Sequence, residues 1–174
     1  DRSYKPVKIV DTFQMLGEVD RDLADAMGVD CIGVGGTRDI FDHDTECMHE
    51  QVTPWGQKVL VPIQLDLTQD KEGDVYVYAG GDKNYPPSAV MPNGCFFINA
   101  IERQQPIDED KLNPMDNLEE FNSITDEELD AYKKKVNEAS ATGRAVVASF
   151  GGTALGDVAF VPGMGLKEPK GIRS

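Results

Sequence analysis

The sequence predicts an α/β fold in which helix–strand units are interrupted by an antiparallel, β-rich insertion. Two stretches each consist of a helical pattern, a glycine and a short apolar run, and they end in "VGGTRD" and "FGGTALGD". Between them, residues 50–98 are rich in β-branched and aromatic residues, with polar and Gly/Pro-containing breaks typical of hairpins. At 174 residues, the chain fits a single domain with a sizeable core.

The first helix is predicted to begin at Asp11. This residue can cap the helix, and Gln14 follows at the capping-box spacing. Gly28 is predicted to end the helix, because glycine adopts the left-handed backbone of a C-terminal cap. The run "VDCIGV" that follows predicts a short buried strand. The apolar face, with spacings of three and four, consists of Phe13, Leu16, Val19, Leu23 and Met27.

The middle of the chain predicts antiparallel strands. "KVLVPIQLDL" and "DVYVYAG" have strand composition, and the polar "TQDKEGD" between them predicts a hairpin loop. Pro62 indicates an edge strand or a bulge, because proline cannot donate a ladder hydrogen bond. "NYPPSAVMPNG" is predicted to be loop and "CFFINAI" a further strand.

A second helix gives the clearest local pattern. Thr125 and Glu128 form a capping box, and Ile124 can pack on Leu129 as a hydrophobic staple. Gly143 is predicted to end the helix, and "RAVVASF" predicts the next strand. A short helix is also expected near Asn117 to Phe121, within an acidic surface connection. The buried stripe is predicted to be Leu129, Tyr132, Val136 and Ala139.

The composition limits partners and location. The net charge is −14, with 31 acidic against 17 basic residues, which argues against nucleic acid or an anionic membrane surface as a partner. No apolar run approaches the roughly 18 residues of a membrane span. Three cysteines without a CxxC pair indicate a reduced, cytoplasmic chain. The start at Asp1 and the end at "KGIRS" suggest an internal piece of a longer protein.

Several residues are candidates for chemistry. The Gly-Gly-Thr stretches match neither GxGxxG nor GxxxxGK[ST]. Their glycines can therefore be explained either by tight turns at strand ends or by contact with a ligand. His43, Cys47 and His49 could bind zinc, but their spacing fits no structural zinc pattern, and a polar, solvent-facing loop is the favoured interpretation. Four aspartates could each serve as a general acid or bind a cation, but each is interpreted as a cap or surface acid, namely Asp30, Asp39, Asp66 and Asp157. Arg38 and Arg144 are possible carboxylate anchors.

The chain resembles the uroporphyrinogen decarboxylase superfamily, and within it the branch that includes corrinoid-dependent methyltransferases. The resemblance covers nearly the whole chain, and "GDKNYPPSAVMPNG" and "FGGTALGD" are its most specific stretches. It implies part of a TIM (β/α)8 barrel, the early βα units, with the antiparallel insertion at about 50–98. Such barrels take about 250 residues, so a 174-residue chain is expected to be a fragment that needs the remaining barrel chain as a partner. An oligomer is also compatible with this expectation.

Two chemistries follow from the resemblance. Methyl transfer uses zinc to activate a thiol that attacks a methyl-corrinoid held by a corrinoid protein, whereas the alternative is decarboxylation of uroporphyrinogen in tetrapyrrole biosynthesis. The methyltransferases' H-x-C motif and the decarboxylases' arginine-rich N-terminal signature are both missing here. The isolated chain is therefore expected to lack a complete active site and to bind no cofactor alone. A non-catalytic α/β module that binds a partner chain is a further alternative.

The resemblance leaves the catalytic residues unassigned and favours one strand-end loop as a substrate contact. In parallel α/β folds, ligands lie at the carboxyl ends of strands. The second Gly-Gly-Thr stretch is therefore the better candidate for lining the site. The predicted substrate-binding residues are Phe150, Gly151, Gly152, Thr153 and Asp157.

Overall fold

The computed structural model describes residues 5–103, 106, 108–118, 123–149 and 163–169. The chain forms two compact units: a first unit of Asp1–Glu18, Arg38–Asn122 and Val158–Ser174, and a second unit of Val19–Thr37 and Ser123–Asp157. In chain order, the elements are β1 (Val7–Asp11), β2 (Leu16–Gly17), α1 (Arg21–Met27), β3 (Cys31–Val34), β4 (Met48–Val52), β5 (Lys58–Pro62), β6 (Val75–Val77), β7 (Ala89–Met91), β8 (Asn99–Ala100), α2 (Asp126–Ser140) and β9 (Ala145–Ala148).

The first unit contains two small sheets around one core. Four strands lie in the order β2-β1-β5-β4, with β1 parallel to β5 and the other neighbours antiparallel. Strands β6, β7 and β8 form an antiparallel sheet. Alternate residues of β5 and β6 point inward, which produces the buried pairs Val59/Val61 and Val75/Val77. The core consists of Ile9, Phe41, Val59, Val61, Leu65, Leu67, Val75, Val77, Ala89, Met91 and Ile98.

The second unit contains α1, α2 and one pair of strands. Strands β3 and β9 are parallel, with Cys31 opposite Ala145 and Val34 opposite Ala148. Helix α2 packs against both strands. Its first turn carries the predicted capping box, because the Thr125 hydroxyl accepts from Glu128 N and the Glu128 carboxylate accepts from Thr125 N. The predictions of α2 and of the strand after it are therefore confirmed.

The prediction of a partial TIM barrel is wrong. Within the described part of the chain there are two α-helices, and most strand pairs are antiparallel. A barrel needs a crossover helix between each pair of successive parallel strands. Here β4 and β5 are joined by a tight turn in which Thr53 N donates to Gln57 O, and this turn forces the two strands to run antiparallel.

The predicted first helix is much shorter than its apolar spacing suggested. Asp11 does cap a turn by accepting from Gln14 N, but Met15 then adopts a positive φ of 54° and the chain returns as β2 beside β1. The helix is limited to α1, which is capped by Asp20 instead. Phe13 and Met15 pack against the core of the first unit rather than along a helical face.

Other local predictions differ from the structure because strand pairing is decided by the whole sheet and not by neighbouring sequence. Strand β5 pairs with β1 and β4, and β6 pairs with β7, so the predicted hairpin around "TQDKEGD" is wrong. Pro62 ends a central strand, not an edge strand. The predicted loop "NYPPSAVMPNG" contains β7. The helix expected near Asn117 is observed as a 3₁₀ turn over Pro114–Leu118, and residues 119–122 lie outside the described part.

Candidate functional site

The first candidate site is the carboxyl end of the parallel pair β3 and β9. The predicted substrate-binding residues Phe150, Gly151, Gly152, Thr153 and Asp157 all lie outside the described residues. The strands that precede both Gly-Gly-Thr stretches are nevertheless direct neighbours, with the same direction. Ser149, the residue after β9, donates its N–H to Val34 O at the end of β3. The strands that lead into both stretches therefore end at the same edge of one sheet.

Helix α2 fixes the backbone at this edge with two side chains. The Tyr132 hydroxyl donates to Ser149 O at 2.6 Å, and Lys135 Nζ donates to Gly36 O at 3.0 Å. The two residues lie three positions apart, so both project from one face of the helix. Burial and the nearby Glu128 carboxylate raise the pKa of Tyr132, which keeps the phenol protonated as a donor. A Cβ added to Gly35 would meet no described atom within 4 Å, so a ligand could approach the backbone there.

The second candidate is a buried polar cluster in the first unit, formed by Thr12, Asp39 and His43. The Thr12 hydroxyl donates to Asp39 Oδ2 at 2.7 Å, and Asp39 Oδ1 accepts from the N–H groups of Phe41 and His43 at 2.9 and 2.8 Å. The imidazole of His43 is fully buried, with Nε2 3.0 Å from Tyr78 O and Nδ1 3.2 Å from Asp39 Oδ2. Nδ1 makes no well-directed hydrogen bond to the carboxylate or to another described group.

The environment of Asp39 makes it a poor proton acceptor for catalysis. Burial by itself would raise the pKa of Asp39, but the contacts with His43 and Thr12 outweigh it and hold the pKa below its ordinary value. Both carboxylate oxygens already accept hydrogen bonds, Oδ2 from the Thr12 hydroxyl and Oδ1 from two backbone N–H groups. We conclude that Asp39 organises this loop and does not serve as a general base.

A cavity of about 330 Å³ adjoins the cluster. Two turns flank it, and each contains a non-glycine residue with positive φ, Met15 at 54° and Asp42 at 62°. Such strained backbone is often found at functional sites. Among the described residues, the cavity wall carries no basic side chain that would attract an anionic ligand. Its lining residues are Val10, Asp11, Thr12, Phe13, Gln14, Asp39 and Ile40.

The His/Cys segment does not converge on a metal position. His43 is buried, which makes the prediction of a solvent-facing loop wrong for this residue, whereas Cys47 is exposed. His49 Nε2 lies 3.2 Å from Leu65 O and 2.9 Å from the Gln51 side-chain nitrogen. Within residues 5–103, 106, 108–118, 123–149 and 163–169, no three His, Cys, Asp or Glu side chains are grouped to hold a metal ion.

The other sequence candidates have ordinary partners. Asp66 pairs with Lys83 at 2.7 Å, and Arg38 pairs with Asp42 at 3.6 Å. Arg144 donates to Val29 O and pairs with Asp25. Sequence reasoning missed Thr12, whose burial depends on a long-range contact 27 residues away. The only local signal for the cluster was the four-residue spacing of Asp39 and His43.

None of the helices in the described ranges is long and apolar enough to cross a lipid bilayer. Comparison of the chain with protein-family models, curated proteins and solved structures finds no match.

Proposed function

We propose that the chain is part of a uroporphyrinogen decarboxylase-like enzyme that acts in corrinoid-dependent methyl transfer. The observation that carries the proposal is the sequence resemblance, which extends over nearly the whole chain and is most specific at "GDKNYPPSAVMPNG" and "FGGTALGD". The antiparallel insertion favours this branch over the tetrapyrrole decarboxylases. The proposal includes a cytoplasmic location, which is supported by three cysteines without a CxxC pair.

Within this proposal, the chain contributes substrate contacts at the β3–β9 edge. Parallel strands place their following loops together, and such edges are where ligands bind in α/β proteins. Tyr132 and Lys135 hold the backbone of Ser149 and Gly36, so the edge is rigid before a ligand arrives. The second Gly-Gly-Thr stretch, Gly151–Thr153, follows this edge in sequence.

The zinc that such methyl transfer requires does not fit the donors present here. The His43 ring faces a carbonyl and a carboxylate inside the core, and Cys47 is exposed elsewhere on the loop. Nearby Asp44 raises the pKa of the Cys47 thiol, which disfavours the thiolate that zinc binds. In this proposal, zinc and the corrinoid protein bind to the remaining part of the parent enzyme.

The test uses the native protein isolated from its own cells, and the 174-residue chain in parallel. Each is given methylcobalamin, zinc and a thiol acceptor. Two quantities are measured: the loss of the cobalt–methyl absorbance and the amount of thioether formed. We expect turnover by the native protein and none by the chain alone. Formation of coproporphyrinogen from uroporphyrinogen would favour the decarboxylase alternative, and a native protein inactive in both assays would refute the enzyme proposal.

A non-catalytic role in binding a partner chain is the second candidate, and the exposure of the second unit favours it. Parallel sheets are normally covered on both faces, yet one face of the β3–β9 pair is exposed, including Val147 at 61%. On the described part of α2, Leu129 is also 40% exposed beside a cavity of about 330 Å³. This candidate predicts that Val147→Asp reduces the mass of the complex isolated from cells. Lys71→Gln, which changes the net charge equally on an exposed loop, should leave that mass unchanged.

A further inference from the structure

The turn after β7 contains the one Asn-Gly pair of the chain, Asn93–Gly94. Cys95 N donates to Pro92 O at 2.9 Å, so the pair occupies the two middle positions of a four-residue turn. Gly94 has a φ of 78°, and a Cβ at this position would meet no described atom within 4 Å. Both residues of the pair are exposed, so water can reach the Asn93 amide and the peptide bond that follows it.

An Asn-Gly pair has an intrinsic reaction with water. Gly94 N attacks Asn93 Cγ, the bond between Cγ and Nδ2 breaks, and ammonia leaves with the proton of the Gly94 N–H. Water then opens the succinimide ring. Breaking the new Cγ–N bond gives aspartate, and breaking the original peptide bond gives isoaspartate. Glycine favours the first step because it has no side chain to block the approach of the two atoms.

The fold restrains the Asn93 side chain against this reaction. Asn93 N donates to Asp74 Oδ1 at 2.8 Å, and Asn93 Nδ2 donates to Glu72 O at 3.0 Å. A Cβ on Gly73 would lie 2.6 Å from Asn93 Cγ, so the amide carbon lies directly over this glycine. The nitrogen that must leave is therefore the same nitrogen that ties the turn to the 70–74 loop, and ring closure at Cγ requires the side chain to leave its place.

We propose that Asn93 is a site of spontaneous deamidation, gated by opening of the contact between the 70–74 loop and the 92–95 turn. Deamidation makes each such opening irreversible. The carboxylate product has no N–H to donate to Glu72 O. It also adds a negative charge beside a loop that already carries three carboxylates, and like charges repel. These carboxylates belong to Asp70, Glu72 and Asp74.

The consequence falls on one end of the three-stranded sheet. Val75 of β6 pairs with Met91 of β7, and the 70–74 loop and the 92–95 turn adjoin this pair directly. Loss of the contact through Asn93 therefore removes a tie beyond the last rung of the ladder. Molecules that have deamidated should be looser at this end, with the other end of the sheet unaffected.

The decisive measurement is the rate of deamidation at Asn93 in the full chain, compared with a synthetic peptide of residues 90–97 at the same pH and temperature. Peptide mapping with isoaspartate detection measures both. Opening breaks two hydrogen bonds, each worth about fivefold in an equilibrium constant, so we expect the folded chain to react about 30-fold more slowly than the peptide. Urea should abolish the difference. Equal rates in the folded chain and the peptide would refute the gate, and a peptide that stays unmodified would refute the site.

Two loop variants test the contact itself. Asp74→Ala removes the acceptor of the Asn93 N–H, so deamidation should become about fivefold faster. Glu72→Gln removes the same charge from the same loop but keeps the backbone acceptor, so the rate should stay as in the unchanged chain. Equal acceleration in both variants would show that the loop charge, and not the contact, controls the rate.

The product can also be installed directly, which keeps the proposal testable if Asp74→Ala does not fold. Asn93→Asp should speed amide exchange at Gly73 and Cys95, whose N–H groups donate to Asp70 O and Pro92 O. Asn99→Asp makes the same charge change at an exposed position on β8 and should leave both amides as they were. Identical exchange in the two variants would contradict the proposed loosening.

Discussion

Gly81→Ala should destabilise the first unit far more than the same change at its neighbour Gly80. Both glycines have positive φ, 74° and 58°. A Cβ on Gly81 would lie 2.7 Å from Gln64 Cβ and 2.8 Å from Gln64 O, so it would collide with backbone that cannot move aside cheaply. A Cβ on Gly80 would meet its nearest atoms at 3.8 and 3.9 Å, which is ordinary contact.

The two costs can be separated by their causes. The left-handed conformation costs an alanine about 1 kcal/mol at either position, and the collision adds roughly 1–3 kcal/mol at Gly81 alone. We therefore expect losses in the free energy of unfolding of about 2–4 kcal/mol for Gly81→Ala and about 1 kcal/mol for Gly80→Ala. Urea unfolding followed by tryptophan fluorescence measures both, with the slope m checked for two-state behaviour. If the two variants lose the same unfolding free energy within about 0.5 kcal/mol, the steric reasoning is refuted. That margin is the usual deviation when separate free-energy contributions are added.

Three further predictions test other contacts. Lys83→Met should raise the pKa of Asp66 from about 2 toward its ordinary value of 3.8, as seen by carboxyl ¹³C NMR, so that less stability is linked to Asp66 and less is lost on acidification below that value; an unchanged titration would show that Lys83 does not lower the pKa of Asp66. Thr125→Ala should lower the unfolding free energy of α2 by about 1 kcal/mol, whereas Thr125→Ser should retain the cap, and equal thermal melts would contradict the capping box. Arg103→Gln removes donors to Gly163 O and Leu166 O, so the N–H of Leu166 should exchange faster; unchanged exchange would show that Arg103 does not hold this segment.

Helix α2 was predictable because its determinants are local. Thr125 and Glu128 satisfy the first-turn donors within four residues, so no distant contact is needed to begin the helix. The segment from Asp11 was mispredicted for the opposite reason. Its apolar spacing suits a helix, but burying Phe13 and Met15 in a core formed by β5, β6 and β7 overrides that tendency. A positive φ at Met15 is the local result, and no sequence pattern signals it.

The two candidate sites also differ in how far they could be predicted from the sequence. The β3–β9 edge was foreseen as two helix–glycine–strand units, because each unit has a strong local signature, but the direct pairing of the strands was not. The Thr12–Asp39–His43 cluster required contacts over 27 and 35 residues, from Thr12 to Asp39 and from His43 to Tyr78. A histidine beside acids and a cysteine in sequence is typical of a polar, solvent-facing loop. Only the pairing of distant strands shows that its ring is enclosed.

The chemistry of the buried cluster also bears on where substrate contacts should be sought. A catalytic carboxylate needs a free oxygen and a pKa near the working pH, whereas Asp39 has donors on both oxygens and a lowered pKa. The described lining of the adjoining cavity has acidic and apolar side chains but no cation for a carboxylated substrate. The β3–β9 edge has the opposite properties, since Gly35 leaves open space and Lys135 brings positive charge to the backbone there. For a substrate that carries carboxylates, the edge is the favourable surface, whereas the buried cluster holds a loop of the first unit in place.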